Sequence, residues 1–168
     1  MKYAGIIEND VVNGEGVCVS LFTQGCPHRC KGCFNSETWD AEGGIEIDED
    51  ELIQKIITAI KKNGIQRNFS ILGGEPLAPY NVVDVHHIIY EVKKQFPDIK
   101  IFIWTGYEVE ELIEYSHTSS SLRAILSNID ALIVGRYIEA ERDITLKWRG
   151  SKNQRILTKQ EIEEIMGV

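Results

Sequence analysis

The amino-acid sequence predicts an α/β fold, namely a partial (incomplete) TIM-like (β/α) barrel of five to six strands that is open on one side. Apolar strand-like segments alternate with helix-like segments, which is typical of successive βα units and a largely parallel sheet. The chain has 168 residues, whereas a complete (β/α)8 barrel needs about 250. Because no repeat or linker interrupts the pattern, we expect residues 1–168 to form a single domain.

Composition narrows the function classes. The 43% hydrophobic and 26% charged content is that of an ordinary globular protein. A net charge of −8 argues against binding to the phosphate backbone of nucleic acids. The sequence has neither an apolar run long enough to span a bilayer nor an N-terminal secretory signal, so we expect no membrane partner and a cytoplasmic location with reduced thiols.

The first half of the chain predicts two strands and one helix. A short strand over 4–7 is followed by a tight turn at 13–16, where Asn-Gly is a strong turn signal. A β-branched apolar run then predicts a buried strand over 17–23. Acidic residues at 48–51 match the positive end of a helix dipole, and apolar residues continue at helical spacing until the Asn-Gly pair at 63–64.

The second half repeats this alternation. The patterns predict strands over 69–72, 100–104 and 129–134, and helices that start at Asn81 or Asp84, near Glu108 and at Thr158. Distinctive sequences follow these strands, namely Gly-Gly-Glu-Pro at 73–76, Trp-Thr-Gly-Tyr at 104–107 and Gly-Arg-Tyr at 135–137. Because the carboxyl ends of parallel strands lie at one edge of a sheet, we expect these sequences to meet there.

The loop after the strand over 17–23 carries Cys26, Cys30 and Cys33 in a C-x3-C-x2-C spacing. Thiolates select zinc, copper(I) or iron–sulfur clusters. A [4Fe–4S] cluster normally takes four cysteines, so three leave one iron open for another ligand. Structural zinc is the alternative for such a short cluster. Cys18 lies within the strand pattern and is expected to be a small core residue, because free cysteine is among the most often buried residue types. As a fourth ligand it would instead close the open iron.

This cysteine spacing, with Gly-Gly-Glu-Pro after the next strand, resembles the radical SAM family. The resemblance implies a partial barrel of the radical SAM type over residues 1–168. It also implies that the amino and carboxylate groups of S-adenosylmethionine chelate the open iron of a [4Fe–4S] cluster. The residues implied are Cys26, Cys30 and Cys33 as catalytic cluster ligands, Gly73, Gly74 and Glu75 at the methionyl end, Thr105 and Gly106 in the pocket, and Phe34 near the adenine.

Within that family the chain resembles the activating proteins of anaerobic (class III) ribonucleoside-triphosphate reductase. The matching segments are 13–17, 25–35, 37–39, 73–77, 104–107, 130–137, 149–151 and 153–155. The resemblance implies an enzyme in which the reduced cluster cleaves S-adenosylmethionine to a 5′-deoxyadenosyl radical. That radical takes a Cα hydrogen from a glycine of the reductase. The implied partners are this reductase and an external electron donor such as flavodoxin.

Two positions depart from the pattern, and two other functions stay open. Gly32 stands where many radical SAM proteins have an aromatic residue, and Val134 stands where the activating proteins commonly have Asp. One alternative is another small radical SAM enzyme, either an activase of a different glycyl-radical enzyme or a 7-carboxy-7-deazaguanine synthase. The other is a non-enzymatic thiolate metal module that adds Cys18 or His28 as a ligand. The basic segment over 142–155 is either a docking surface, a contact for the cofactor carboxylate or a solvated loop.

Overall fold

The computed structural model describes all residues from Met1 to Val168 and contains seven strands and five helices. The strands are β1 (Lys2–Asp10), β2 (Cys18–Thr23), β3 (Ile45–Glu46), β4 (Asn68–Gly73), β5 (Ile101–Trp104), β6 (Ala131–Val134) and β7 (Arg155–Thr158). The helices are α1 (Glu49–Ile60), α2 (Val82–Gln95), α3 (Val109–Ser116), α4 (Ser120–Leu126) and α5 (Lys159–Met166). None of these helices has the length and apolar character needed to cross a membrane.

All seven strands form one sheet in the order β3-β1-β2-β4-β5-β6-β7. Strands β2, β4, β5 and β6 are parallel and lie side by side in chain order. Strand β1 pairs antiparallel with β2 and β3, and β7 pairs antiparallel with β6. Since β3 and β7 end the sheet at opposite edges, the sheet is not closed. The mixed α/β class and the open side are confirmed, whereas a TIM-like barrel is not confirmed.

The strand count of five to six was too low because β3 and β7 were not predicted. Both residues of β3 are exposed, and in β7 Leu157 is the one fully buried position. Such strands carry no continuous apolar run or clean alternation for sequence reasoning to detect. Strand β1 is also longer than the predicted 4–7 and extends to Asp10, through a half that is mostly exposed.

The helices pack on one face of the sheet. Alternate strand residues such as Val19, Phe69, Ile101 and Leu132 join the apolar sides of the helices in a single core of 31 buried residues. The opposite face carries a separate small cluster of Cys18, Phe102 and Ala131 beneath two tryptophans, Trp104 and Trp148. Loops rather than helices therefore cover this second face, and the strand ends beside it are accessible from solvent.

Candidate functional site

The four segments that follow the parallel strands meet at one cavity of about 140 Å³. The cysteine loop contributes Cys26, His28, Cys30 and Cys33. The end of β4 contributes Gly73, Gly74 and Glu75, and the end of β5 contributes Trp104, Thr105 and Gly106. Gly135 and Tyr137 come from the segment that follows β6. Asn35, Thr38, Trp39, Leu72 and Gln154 complete the walls. The convergence expected from the parallel topology is thus observed.

The three thiols of the cysteine loop line the cavity. The loop is held in place because the Gly25 amide donates to Thr38 O at 2.6 Å and the Cys26 amide donates to Trp39 O at 3.1 Å. Burial raises the pKa of the Cys26 thiol to about 11 and also raises the pKa of Cys30. These two thiols are protonated at neutral pH in this state, and binding of a metal centre therefore has to release protons.

The spacing of the thiols bears on the kind of metal centre. No three His, Cys, Asp or Glu side chains are grouped closely enough to hold a single metal ion. In a tetrahedral zinc site with Zn–S bonds of about 2.3 Å, sulfur atoms lie only about 3.8 Å apart. In a [4Fe–4S] cluster each cysteine binds a different iron, so its thiolates are more widely separated. The three thiols line one cavity, and as soft ligands they suit either centre.

Cys18 is a core residue, as expected, and does not belong to the thiol group. It is fully buried at the first position of β2, and its Sγ lies 3.4 Å from Glu15 O. The cysteine loop starts beyond Thr23, at the other end of the same strand. Five residue steps along a strand span about 16 Å, so the Cys18 thiol is too far away to be a fourth ligand.

Glu75 is the centre of a hydrogen-bond network that joins three loops. Its side chain is fully buried. The carboxylate accepts hydrogen bonds from Leu77 N at 3.0 Å, Thr105 Oγ1 at 2.7 Å, Gly106 N at 2.7 Å and His28 Nε2 at 2.9 Å. These four contacts tie the cysteine loop, the end of β4 and the end of β5 together through one side chain. The role of Glu75 at the methionyl end stays a prediction.

The glycines beside Glu75 are required for packing between loops. Gly73 has φ +104°, and a Cβ there would lie 2.7 Å from the backbone nitrogen of Thr23. A Cβ at Gly74 would overlap the carbonyl oxygen of Gly25. Glycine is therefore the residue that allows these backbones to touch. The backbones of Gly73 and Gly74 also line the cavity, where they face any bound ligand.

Phe34 lies at the rim of the cavity, and its role at the adenine stays a prediction. Its side chain is 54% exposed and is absent from the cavity wall. The ring packs against Tyr137 with centroids 5.0 Å apart, and the Arg142 guanidinium lies 5.3 Å above it. Tyr137, which lies in the segment after β6, lines the cavity itself.

The polar segment before β7 is part of the cavity wall. Gln154 Oε1 accepts from Gly150 N at 2.7 Å and Ser151 N at 3.1 Å, while its Nε2 donates to Gly135 O at 3.0 Å. Asn153 Nδ2 donates a hydrogen bond to the backbone carbonyl oxygen of Arg136 at 2.7 Å. These side-chain amides tie the basic segment to the end of β6. Three interpretations of this segment were left open, namely a docking surface, a cofactor contact and a solvated loop. This geometry disfavours the solvated loop.

The sequence patterns indicated no site role for Trp39 or Gln154, and they gave His28 only as an alternative metal ligand. The Trp39 indole Nε1 is buried without a hydrogen-bond partner. The guanidinium of Arg29 lies 5.6 Å above the indole ring. A tryptophan after a loop is ordinarily a packing residue, so the sequence gave no signal of a site role for Trp39. Its position at the site is shown by the structure, in which the Cys26 amide donates to the Trp39 carbonyl oxygen.

Comparison with known proteins adds an independent line of evidence. A family model described as a 4Fe-4S single cluster domain matches residues 12–157. A protein of Haemophilus influenzae named anaerobic ribonucleoside-triphosphate reductase-activating protein is 41% identical over 155 residues, which cover 92% of this chain and 96% of that protein. Proteins of the same name from Vibrio cholerae (40%) and Escherichia coli K12 (35%) match 92% of this chain and 96% of their own lengths.

Proposed function

Because this chain belongs to the family of anaerobic ribonucleoside-triphosphate reductase-activating proteins, we propose that it activates such a reductase by generating a glycyl radical. The family model with its single 4Fe-4S cluster supports the metal centre. The observation that carries the proposal is the cavity itself, in which three cysteines face the backbone of Gly73 and Gly74. That arrangement suits a cluster with one open iron beside a bound cofactor.

In this proposal Cys26, Cys30 and Cys33 hold a [4Fe–4S] cluster as thiolates. When bound and reduced, the cluster supplies the electron that cleaves S-adenosylmethionine to methionine and a 5′-deoxyadenosyl radical, which takes a Cα hydrogen from a glycine of the reductase. The chain's own contribution is to orient these groups and to exclude water around them. Walls from all four strand ends provide that enclosure.

The methionyl end of S-adenosylmethionine is held at the ends of β4 and β5. The backbone of Gly73 and Gly74 lies on one side of the cavity, and Thr105 and Gly106 lie on the other. Glu75 fixes both sides because it accepts hydrogen bonds from the Thr105 hydroxyl and the Gly106 amide. In this view Glu75 is a residue that positions the pocket, and the exposed backbone atoms contact the ligand.

The open side of the sheet gives a glycine-bearing segment of the reductase access to the cavity. The rim there includes the exposed ring of Phe34 and the basic residue Arg142 stacked on it. These residues, with the basic segment over 142–155, form the contact surface that we propose for the reductase. An external electron donor such as flavodoxin supplies the electron in this proposal, as the resemblance to the activating proteins implies.

The direct test is radical transfer to the reductase. The iron-reconstituted protein is reduced without oxygen and mixed with S-adenosylmethionine and an anaerobic ribonucleoside-triphosphate reductase. We expect the doublet signal of a glycyl radical in the electron paramagnetic resonance (EPR) spectrum, with 5′-deoxyadenosine formed in stoichiometric amount. Cys30→Ala should abolish both products, and Cys18→Ala should retain them. Cleavage of S-adenosylmethionine without a glycyl signal on this reductase would contradict the assignment of the partner.

A further inference from the structure

A buried histidine lies between the first two cysteines of the cluster loop. His28 Nε2 is 2.9 Å from Glu75 Oε2, and the two side chains are 4% and 1% exposed. We assign the donor role in this hydrogen bond to Nε2, because the same carboxylate oxygen also accepts from Gly106 N. We infer that His28 is a positioning residue that fixes the cysteine loop against the Gly-Gly-Glu-Pro loop and so sets the distance between cluster and cofactor. This inference rests on the proposed function.

The imidazole ring is held on several sides. Tyr107 packs edge-on against it, with ring centroids 4.7 Å apart and planes at 86°. On another side the backbone of Gly106 comes so close that a Cβ there would lie 2.5 Å from His28 Cδ2. The partner carboxylate is itself fixed by three further hydrogen bonds. A side chain enclosed in this way has one orientation, which is what a positioning contact requires.

The contact joins parts of the site that the backbone leaves separate. Backbone hydrogen bonds from Gly74 N to Thr23 O at 3.0 Å and from Glu75 N to Gly25 O at 2.7 Å fix the base of the cysteine loop. His28 lies beyond that base, two residues from Cys26 and two from Cys30. Its side chain therefore anchors the ligand-bearing part of the loop. Misplacement of reacting groups by 1 Å can reduce a rate by about 100-fold.

A histidine that ligates a metal also often donates its second ring nitrogen to a carboxylate. The experiment therefore has to distinguish positioning from ligation. His28→Gln places an amide NH2 about where Nε2 lies, and it keeps the donor to Glu75. His28→Leu keeps a similar volume but has no donor. His117→Leu is a matched control, because His117 is exposed at the end of α3 and makes no hydrogen bond through its side chain.

We would measure iron content first, and then titrate each reduced, reconstituted protein with S-adenosylmethionine while following the shape of the cluster's EPR signal. We expect wild-type iron content in all variants. His28→Leu should need about tenfold or more S-adenosylmethionine for half of the spectral change. His28→Gln should stay within about threefold of wild type, and His117→Leu should match it. In a Glu75→Gln background the further effect of His28→Leu should be much smaller, since both changes remove the same contact.

Each other outcome has a definite meaning. If the wild-type signal changes and the His28→Leu signal changes at the same concentration, this inference is wrong while the proposed function stands. If both His28 variants lose iron and the control does not, His28 is needed to build the metal centre and the positioning role is overturned. If the wild-type signal does not respond to S-adenosylmethionine at all, the proposed function fails, and this inference fails with it.

Discussion

At the scale of single residues, the structure divides the four cysteines into two groups. Cys26, Cys30 and Cys33 line one cavity, whereas Cys18 is buried at the far end of β2. Spacing in the sequence predicted this division, because a strand of period two places Cys18 in the sheet and ends before the cysteine loop. The division has a direct chemical consequence.

We predict that Cys18→Ala binds as much iron and sulfide after reconstitution as the wild type, whereas Cys33→Ala binds less than half as much. The reason is that Cys33 lines the cavity and Cys18 lies about 16 Å from the start of the loop. Metal analysis together with the visible absorption of the cluster measures both. Equal loss of iron in the two variants would mean that Cys18 is a ligand.

A second prediction concerns Gly74. Gly74→Ala should lower the free energy of unfolding by about 1–3 kcal/mol, because the added Cβ overlaps the backbone of Gly25. Gly5→Ala is the control, since nothing lies within 4 Å of a Cβ at that position. Denaturant unfolding of the two variants gives the comparison. If the two variants are equally stable, the β4 loop is looser than its contacts with the cysteine loop indicate.

At the scale of elements, the connection between β1 and β2 is organised by one carboxylate. Asp10 is 6% exposed and accepts hydrogen bonds from Val12 N, Asn13 N, Asn13 Nδ2 and Ser20 Oγ at 2.7–3.1 Å. Burial acts to raise the pKa of Asp10, but these hydrogen bonds outweigh it and the pKa lies below its usual value of 3.8. The turn places the backbone of Gly14 directly against the side chains of Cys18, Ser70 and Phe102.

We predict that Asp10→Asn costs about 1–3 kcal/mol of stability at pH 7, because one acceptor oxygen becomes a donor facing donors. A carboxyl whose pKa is lower in the folded state stabilises the protein above its unfolded pKa and loses that effect as the pH falls through the folded pKa. The difference between wild type and variant should therefore shrink below about pH 4. Urea unfolding at several pH values measures it, with exposed Asp98→Asn as control. A difference that persists unchanged at pH 2.5 would contradict this account.

The strands and helices differ in how readily they can be recognised in the sequence. Strands β2, β4, β5 and β6 were predicted because they lie in the middle of the sheet, are buried at nearly every position and are therefore rich in apolar residues. Helix α5 starts where it was predicted, with Thr158 as its N-cap and Glu161 completing a capping box. Strands β3 and β7 are held by pairing with a neighbour rather than by burial of their own side chains, so their sequences carry little signal.

The meeting of the strand-end segments at one cavity was predictable from the sequence, whereas the hydrogen bonds within the cavity were not. The segments after the parallel strands were expected at one edge because that follows from topology alone. The Glu75 network was not expected, since its partners lie 30 and 47 residues away in the chain. The resemblance placed Glu75 at the methionyl end, and only the packed structure shows that its carboxylate also accepts hydrogen bonds from Gly106 N and Leu77 N.

At the scale of the whole molecule, the sheet stays open and its helices cover one face. The cavity at the strand ends is lined by loop and strand residues, and Phe34 beside it is exposed. A protein that must admit part of another protein needs such an opening. The central claim is that this cavity holds a cluster with one iron free to bind S-adenosylmethionine.

The measurement that tests this claim most directly is low-temperature EPR of the anaerobically reconstituted and reduced protein, with and without S-adenosylmethionine. We predict a [4Fe–4S]+ signal whose shape changes when the cofactor is added, because the open iron gains new ligands. A protein that takes up zinc in stoichiometric amount and shows no iron signal, or a cluster signal that the cofactor leaves unchanged, would contradict it.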